Sequence, residues 1–172
     1  MTQMSDLRTR RTLFAIDRTF FNLLKTHDFT DLNVSLICAE THITRSTFYQ
    51  YYLDLDDWLE RIVGRYALEA QSLISCADQA SAADLSALVA KFQENHDAVL
   101  MLFKIHHPAG DLQAELVKLF ATAFAPLVQQ DDYLAQLYAQ AAVVSVSWQL
   151  QHPKDLRQQP LTSVVQALCD QA

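Results

Sequence analysis

Four hydrogen-bonding side chains stand together at residues 44–47, Thr-Arg-Ser-Thr. Four aromatics, Phe48, Tyr49, Tyr51 and Tyr52, follow and are interrupted only by Gln50. Hydroxyls, an amide and a guanidinium in one short segment suit hydrogen bonding to base edges and phosphates rather than bond-breaking chemistry. On a helix opening after Thr44, Phe48 and Tyr52 share a face by their four-residue spacing. Ser46, Thr47 and Gln50 face the other way, Tyr49 and Tyr51 flank the buried stripe, and Arg45 lies in the exposed first turn. An ordinary amphipathic helix with a polar face fits the same pattern.

The other cluster of ligand-type side chains is His106 and His107 with Asp111 and Glu115. Pro108 lies between them, and adjacent histidines on one helix point in different directions, which argues against a metal site. No Ser-His-Asp or Cys-His arrangement is recognisable by local motif, and no strand pattern exists to carry a nucleophile elbow. Gly64 and Gly110 are the only glycines, so a phosphate-binding loop and a dinucleotide fingerprint are excluded. The expectation is a protein that is not an enzyme and has no metal and no cofactor.

The elements that must position the 44–52 segment are helical. The chain has 172 residues, is 51% hydrophobic, and contains two glycines and four prolines. That favours helices joined by short connections. Leu13, Ile16, Phe20, Leu23 and Leu24 recur at helical spacing over 8–27. After a turn at "HDFTD", Asn33 is an N-cap for a short helix with Val34, Ile37 and Cys38 inward. Thr44 caps the next helix, and Asp54 precedes a long one over about 55–78. Long, short, short, with a turn of about four residues between the last two, is the outline of a helix-turn-helix.

Charge is unevenly placed. The formal net charge is −7. Residues 1–27 hold five cations and two anions, a balance of +3, whereas residues 67–172 hold five cations and eleven anions, a balance of −6. Arg8, Arg10 and Arg11 fit either a solvated helix start or an arm on phosphates. Cys38, Cys76 and Cys169 are far apart and odd in number, as reduced thiols are. The N-terminus shows no signal peptide and the most apolar run, 134–150, is broken by glutamines. A cytoplasmic protein with no membrane span is expected.

The stretch "FTDLNVSLICAETHITRSTFYQYYLDLDDWL", residues 29–59, resembles the DNA-binding region of the TetR family of bacterial regulators. Ile37, Ile43, Thr47, Phe48, Tyr49 and Tyr52 fall where the family pattern has such residues, and the likeness extends over about residues 8–66. His42 stands where the family usually has a turn glycine, and Leu55 where it usually has a phosphate-contacting lysine. Asp54, Asp56 and Asp57 crowd the same corner.

The resemblance implies an all-α chain with a three-helix DNA-binding domain at 1–53. A helical effector-binding and dimerisation domain at 54–172 follows. It implies double-stranded operator DNA as a partner, contacted by Asn33, Thr44, Arg45, Ser46, Thr47, Tyr49 and Gln50, with Arg8, Arg10 and Arg11 nearby. Thr44, Thr47 and Tyr49 would hold phosphates, while Arg45, Ser46 and Gln50 would face bases.

The remaining helices read as 83–95, 96–106, 111–128, 132–151 and 160–171, with Pro126 expected to bend or end the third of these. Ala135, Ala139, Ala142, Val143, Val146 and Leu150 form an apolar stripe, either the chain's own core or, with Leu168, the interface of a homodimer. The homodimer is the expectation, because a helix-turn-helix commonly reads two half-sites. His96, Met101, Phe103, Phe120 and Tyr138 are candidates to line a pocket for a small-molecule effector. A repressor is the first reading. A TetR-like coregulator, activator or interaction module with little or no DNA binding is the alternative, motivated by His42, Leu55 and the acidic corner.

Overall fold

The computed structural model describes residues 2–74 and 82–152. Leu168, Cys76, Cys169, the helix expected at 160–171 and the break between Pro153 and Pro160 lie outside the described residues. Among the described residues there are eight α-helices and no strand; one isolated bridge joins His107 and Gly110. The chain forms two compact units, the first ending at Ile62 and the second beginning at Val63.

The first unit contains α1 (Thr2–Leu23), α2 (Val34–Thr41), α3 (Arg45–Tyr49) and the first turns of α4 (Leu55–Ile74). Its core is aromatic. Trp58 is fully buried and stacks on Phe20 with ring centroids 3.8 Å apart and planes 5° from parallel. Its indole Nε1 donates to Asp17 Oδ1 at 2.9 Å, and the Tyr52 hydroxyl donates to the same oxygen at 3.3 Å. Asp17 therefore accepts from two polar atoms at the edge of the aromatic core. The bulk of Trp58 and Leu59 holds the first turns of α4 in this unit, nine residues beyond the boundary read from the sequence. The helix read at 8–27 spans Thr2–Leu23 instead, and residues 24–27 turn away through bonds back to Phe20, Asn22 and Leu23.

The second unit contains the rest of α4, then α5 (Ala82–Glu94), α6 (His96–Leu102), α7 (Leu112–Phe124) and α8 (Asp132–Gln151). Asp111 and Asp131 cap α7 and α8 by accepting from Ala114 and Leu134 backbone N–H groups at 2.9 and 3.0 Å. Pro126 sits in a 3₁₀ turn, Ala125–Val128, that ends α7, as its ring requires.

Helix α8 packs on α5, α6 and above all α7. The six-residue stripe on α8 is a correction. Ala135, Ala139, Ala142, Val143, Val146 and Leu150 are all at most 3% exposed within one chain. They are core, so they cannot present a surface to a second copy. The opposite face of α8 is also apolar: Tyr133, Leu137, Val144 and Trp148 are 75%, 50%, 65% and 47% exposed. Asp132 is the only charged residue of this helix. Among the described residues, no helix is long and apolar enough to cross a membrane.

Candidate nucleic-acid interface

Two caps and one left-handed residue shape the segment that presents polar side chains. Asn33 Oδ1 accepts from the Leu36 N–H at 3.0 Å and starts α2. At the far end of α2, His42 has φ 57° and ψ 39°, the left-handed region. Its N–H donates to the Ala39 carbonyl at 3.2 Å, and the Ile43 N–H donates to that of Cys38 at 3.0 Å. These paired bonds make a Schellman ending, in which glycine is the usual left-handed residue. Thr44 then starts α3, its Oγ1 accepting from the Thr47 N–H at 3.2 Å.

Helix α3 is anchored by Phe48, fully buried, and by Tyr52 just beyond it, 6% exposed; their rings meet at 5.7 Å. Arg45, Ser46, Tyr49 and Gln50 are exposed and Thr47 is half-buried. The burial of Phe48 and Tyr52 is what aims the other side chains outward. Leu53, next in the turn, is 77% exposed. The arginines Arg8, Arg10 and Arg11 are exposed on α1.

The hydroxyls are linked. Thr44 Oγ1 lies 2.8 Å from Ser46 Oγ and 2.9 Å from Thr47 Oγ1, besides accepting from the Thr47 N–H. Thr44 thus joins both neighbouring hydroxyls while capping the helix. Its cap bond makes Thr44 the residue that holds the helix start. Asn33 uses its oxygen as a cap, and its exposed side chain also carries an amide N–H donor. Arg45 Nη2 donates to Ser35 Oγ of α2, a residue the sequence reading did not single out, since nothing local links positions ten apart.

The acidic corner beside α3 is largely occupied by its own fold. Asp54 Oδ1 accepts from the Asp57 N–H at 2.8 Å and caps α4. Asp57 accepts the Leu53 N–H at 2.8 Å and binds Arg61 at two points, 2.7 and 2.9 Å. Burial pushes the Asp57 carboxyl up, but the Leu53 N–H and the Arg61 guanidinium outweigh it and hold the group below the ordinary carboxylate range. Arg61 also lies over the Tyr52 ring, 5.5 Å from its centre. Leu55, in place of the expected lysine, is half-buried at the first position of α4.

In the second unit, Phe103 and Phe120 are core, at 4% and 0% exposure, rather than lining an opening. Met101 and Tyr138 are half-buried. His96 joins α6 to the end of α8 through Nε2, 2.7 Å from the Leu150 carbonyl, with Nδ1 3.1 Å from Asp97. A cleft of about 640 Å³ opens elsewhere, between α7 and α8, bordered by Lys118, Thr122, Gln130, Asp132 and Gln136. His106 bonds Asp111 at 2.7 Å. Among the described residues no three His, Cys, Asp or Glu side chains are grouped as metal ligands would be.

No protein-family model matches the chain, and no curated protein matches it in sequence. Solved structures do match in shape. The dihydroxyacetone kinase operon activator DhaS superposes with a TM-score of 0.58 at 17% identity, over 93% of this chain and 95% of that one. FadR of Thermus thermophilus, a TetR family transcriptional repressor solved in complex with lauroyl-CoA, gives 0.52 at 17% identity, over 90% and 91%. AlkX of Dietzia sp. strain DQ12-45-1b, a TetR family repressor, gives 0.50 at 14% identity, over 91% and 95%. The chain has a TetR-like fold. The likeness spans nine-tenths of the chain and so takes in both units of the TetR-like architecture, not the helix-turn-helix outline alone.

Proposed function

We propose that the chain is a DNA-binding transcription regulator, a repressor in the first instance, that acts as a cytoplasmic homodimer. The observation that carries this reading is the exposed face of α3. Phe48 and Tyr52 pin the helix, while Arg45, Ser46, Tyr49 and Gln50 stand in solvent beside a Schellman turn. Arg45, Ser46 and Gln50 face bases in a major groove; Thr47, Tyr49, Asn33 and the arginines of α1 hold phosphates. Pairing of Asp57 with Arg61 reduces the negative field that the corner would otherwise present.

The dimer forms through the outer face of α8, where Tyr133, Leu137, Val144 and Trp148 are uncovered. From Tyr133 to Trp148 the stripe rises about 22 Å along the helix, large enough to nucleate an interface. A small-molecule effector in the C-terminal unit shifts the population between DNA-competent and incompetent dimers. The α7–α8 cleft is one place that could hold it.

A second reading has its own support. Tyr49 and Leu53, 54% and 77% exposed, put apolar surface at the tip of the helix-turn-helix, as a coregulator docking on another protein would. A salt titration of binding to DNA from upstream of the gene, and to random-sequence duplex, separates the two. Salt-steep binding with sequence preference supports the regulator. Binding to neither DNA at low salt removes it in favour of the coregulator.

A further inference from the structure

Arg45 is the only lysine or arginine between Lys25 and Arg61, so a cationic base contact from the helix-turn-helix depends on this one side chain. An exposed arginine has many rotamers, and fixing one on binding costs side-chain entropy. Here the guanidinium has a hydrogen-bond partner without DNA. Nη2 of Arg45, the first residue of α3, donates to Ser35 Oγ, on the second residue of α2. Both residues are exposed, so the bond lies on the outer surface of the helix-turn-helix and buries nothing. It ties the two helices together outside the buried Phe48 anchor. The guanidinium carries five N–H donors, and one of them suffices for Ser35. The remaining donors are enough for a two-point grip on O6 and N7 of a guanine, the base edge that matches a guanidinium fork.

We propose that Arg45 reads a guanine and that Ser35 is its positioning residue, holding the fork in a reading pose without touching the base. This rests on the reading of α3 as the DNA-contacting helix. Ser35 then contributes to specificity through Arg45 alone. Removing its hydroxyl leaves the arginine charge in place but lets the fork wander. The loss therefore falls on one base position and not on binding in general.

The experiment uses the full-length chain. Binding sites are selected from a random-sequence duplex library, and affinities are measured on the selected site and on its single-base variants. Wild type, Ser35→Ala, Ser35→Thr, Arg45→Ala and the Ser35→Ala/Arg45→Ala double variant are compared. The proposal expects a guanine whose preference disappears in Arg45→Ala. Ser35→Ala should weaken binding about three- to tenfold, the worth of one hydrogen bond, and flatten preference at that guanine only. Ser35→Thr should restore both. In the Arg45→Ala background the serine change should do nothing further, because the two act as one unit.

A loss from Ser35→Ala that persists without Arg45, or that is uniform across sequences with a shallower salt slope, makes Ser35 a phosphate contact and overturns the proposal. An unaltered Ser35→Ala profile beside a damaged Arg45→Ala profile overturns the positioning role while leaving α3 as the reading helix. Wild-type selection and affinity in Arg45→Ala would remove that reading as well.

Discussion

Replacing His42 by glycine should stabilise the N-terminal unit. His42 sits at φ 57° and ψ 39°. There the Cβ of an L residue crowds its own backbone, at a cost of roughly 1–2 kcal/mol. Glycine removes that strain but also frees the unfolded chain, which takes back about 0.4–1 kcal/mol. The midpoints of these two ranges leave a net gain of about 0.8 kcal/mol. The His42 side chain is exposed, so little packing is lost. The bonds to Ala39 and Cys38 come from backbone N–H groups and survive the change.

With a urea slope of about 2 kcal/mol/M, the unfolding midpoint should rise by about 0.4 M. The measurement belongs in a Trp148→Phe background, where Trp58, fully buried in the first unit, becomes the sole tryptophan reporter. Protein concentration is held fixed, since an oligomer's midpoint depends on it. His42→Ala keeps the Cβ and should stay within about 0.5 kcal/mol of the parent, as exposed substitutions do. A glycine midpoint at or below that of the alanine variant would show that the left-handed ending carries no cost at this position.

Asp17→Ala should destabilise the first unit by about 1–3 kcal/mol, because the buried Trp58 indole N–H loses its acceptor; Asp17→Asn, which keeps one, should recover most of that in the same urea assay. Gln50→Ala should cost about 1–3 kcal/mol of DNA binding and relax one base position; wild-type affinity and preference would remove Gln50 from the reading face. Val144→Asp on the outer face of α8 should yield a folded monomer by light scattering at micromolar concentration, whereas Ala139→Asp on its inner face should unfold the unit; a dimeric Val144→Asp would move the interface elsewhere.

The contribution of His96 to the stability of the C-terminal unit should be lost as pH rises above the ordinary histidine range. The His96 imidazole faces the Asp97 carboxylate and the Leu150 carbonyl, both acceptors, and these bonds raise its pKa above the ordinary 6.5. A raised folded value means the stabilisation is complete below the unfolded pKa and is lost as pH climbs through the folded one. His96→Gln should flatten that component, and identical pH profiles for the two proteins would exclude it.

What the sequence showed well was local. Asn33 and Thr44 are caps because the bond each makes lies within three residues, and Phe48 with Tyr52 reveals an anchored face by spacing alone. The left-handed geometry of His42 was legible only through the resemblance, which puts a turn glycine at that position. What the sequence hid was non-local. The Ser35–Arg45 bond joins two helices, and Asp17, counted only as an anion, proves to be the acceptor for groups 35 and 41 positions away. The period of the α8 stripe was legible, but its destination was not. Both faces of that helix are apolar, and a hydrophobic pattern alone does not say which face the rest of the chain covers.

A helix with two apolar faces makes abundance itself a control variable. The inner face of α8 is covered by folding, at any dilution; the outer face is covered, under the proposed pairing, only when another copy is near. A freshly made lone copy would carry an aromatic and aliphatic strip open to chaperones and proteases, and would engage only one half-site. Dose would then act twice, once on survival and once on occupancy. The cellular response to the number of copies would be sharper than proportional, with no contribution from an effector.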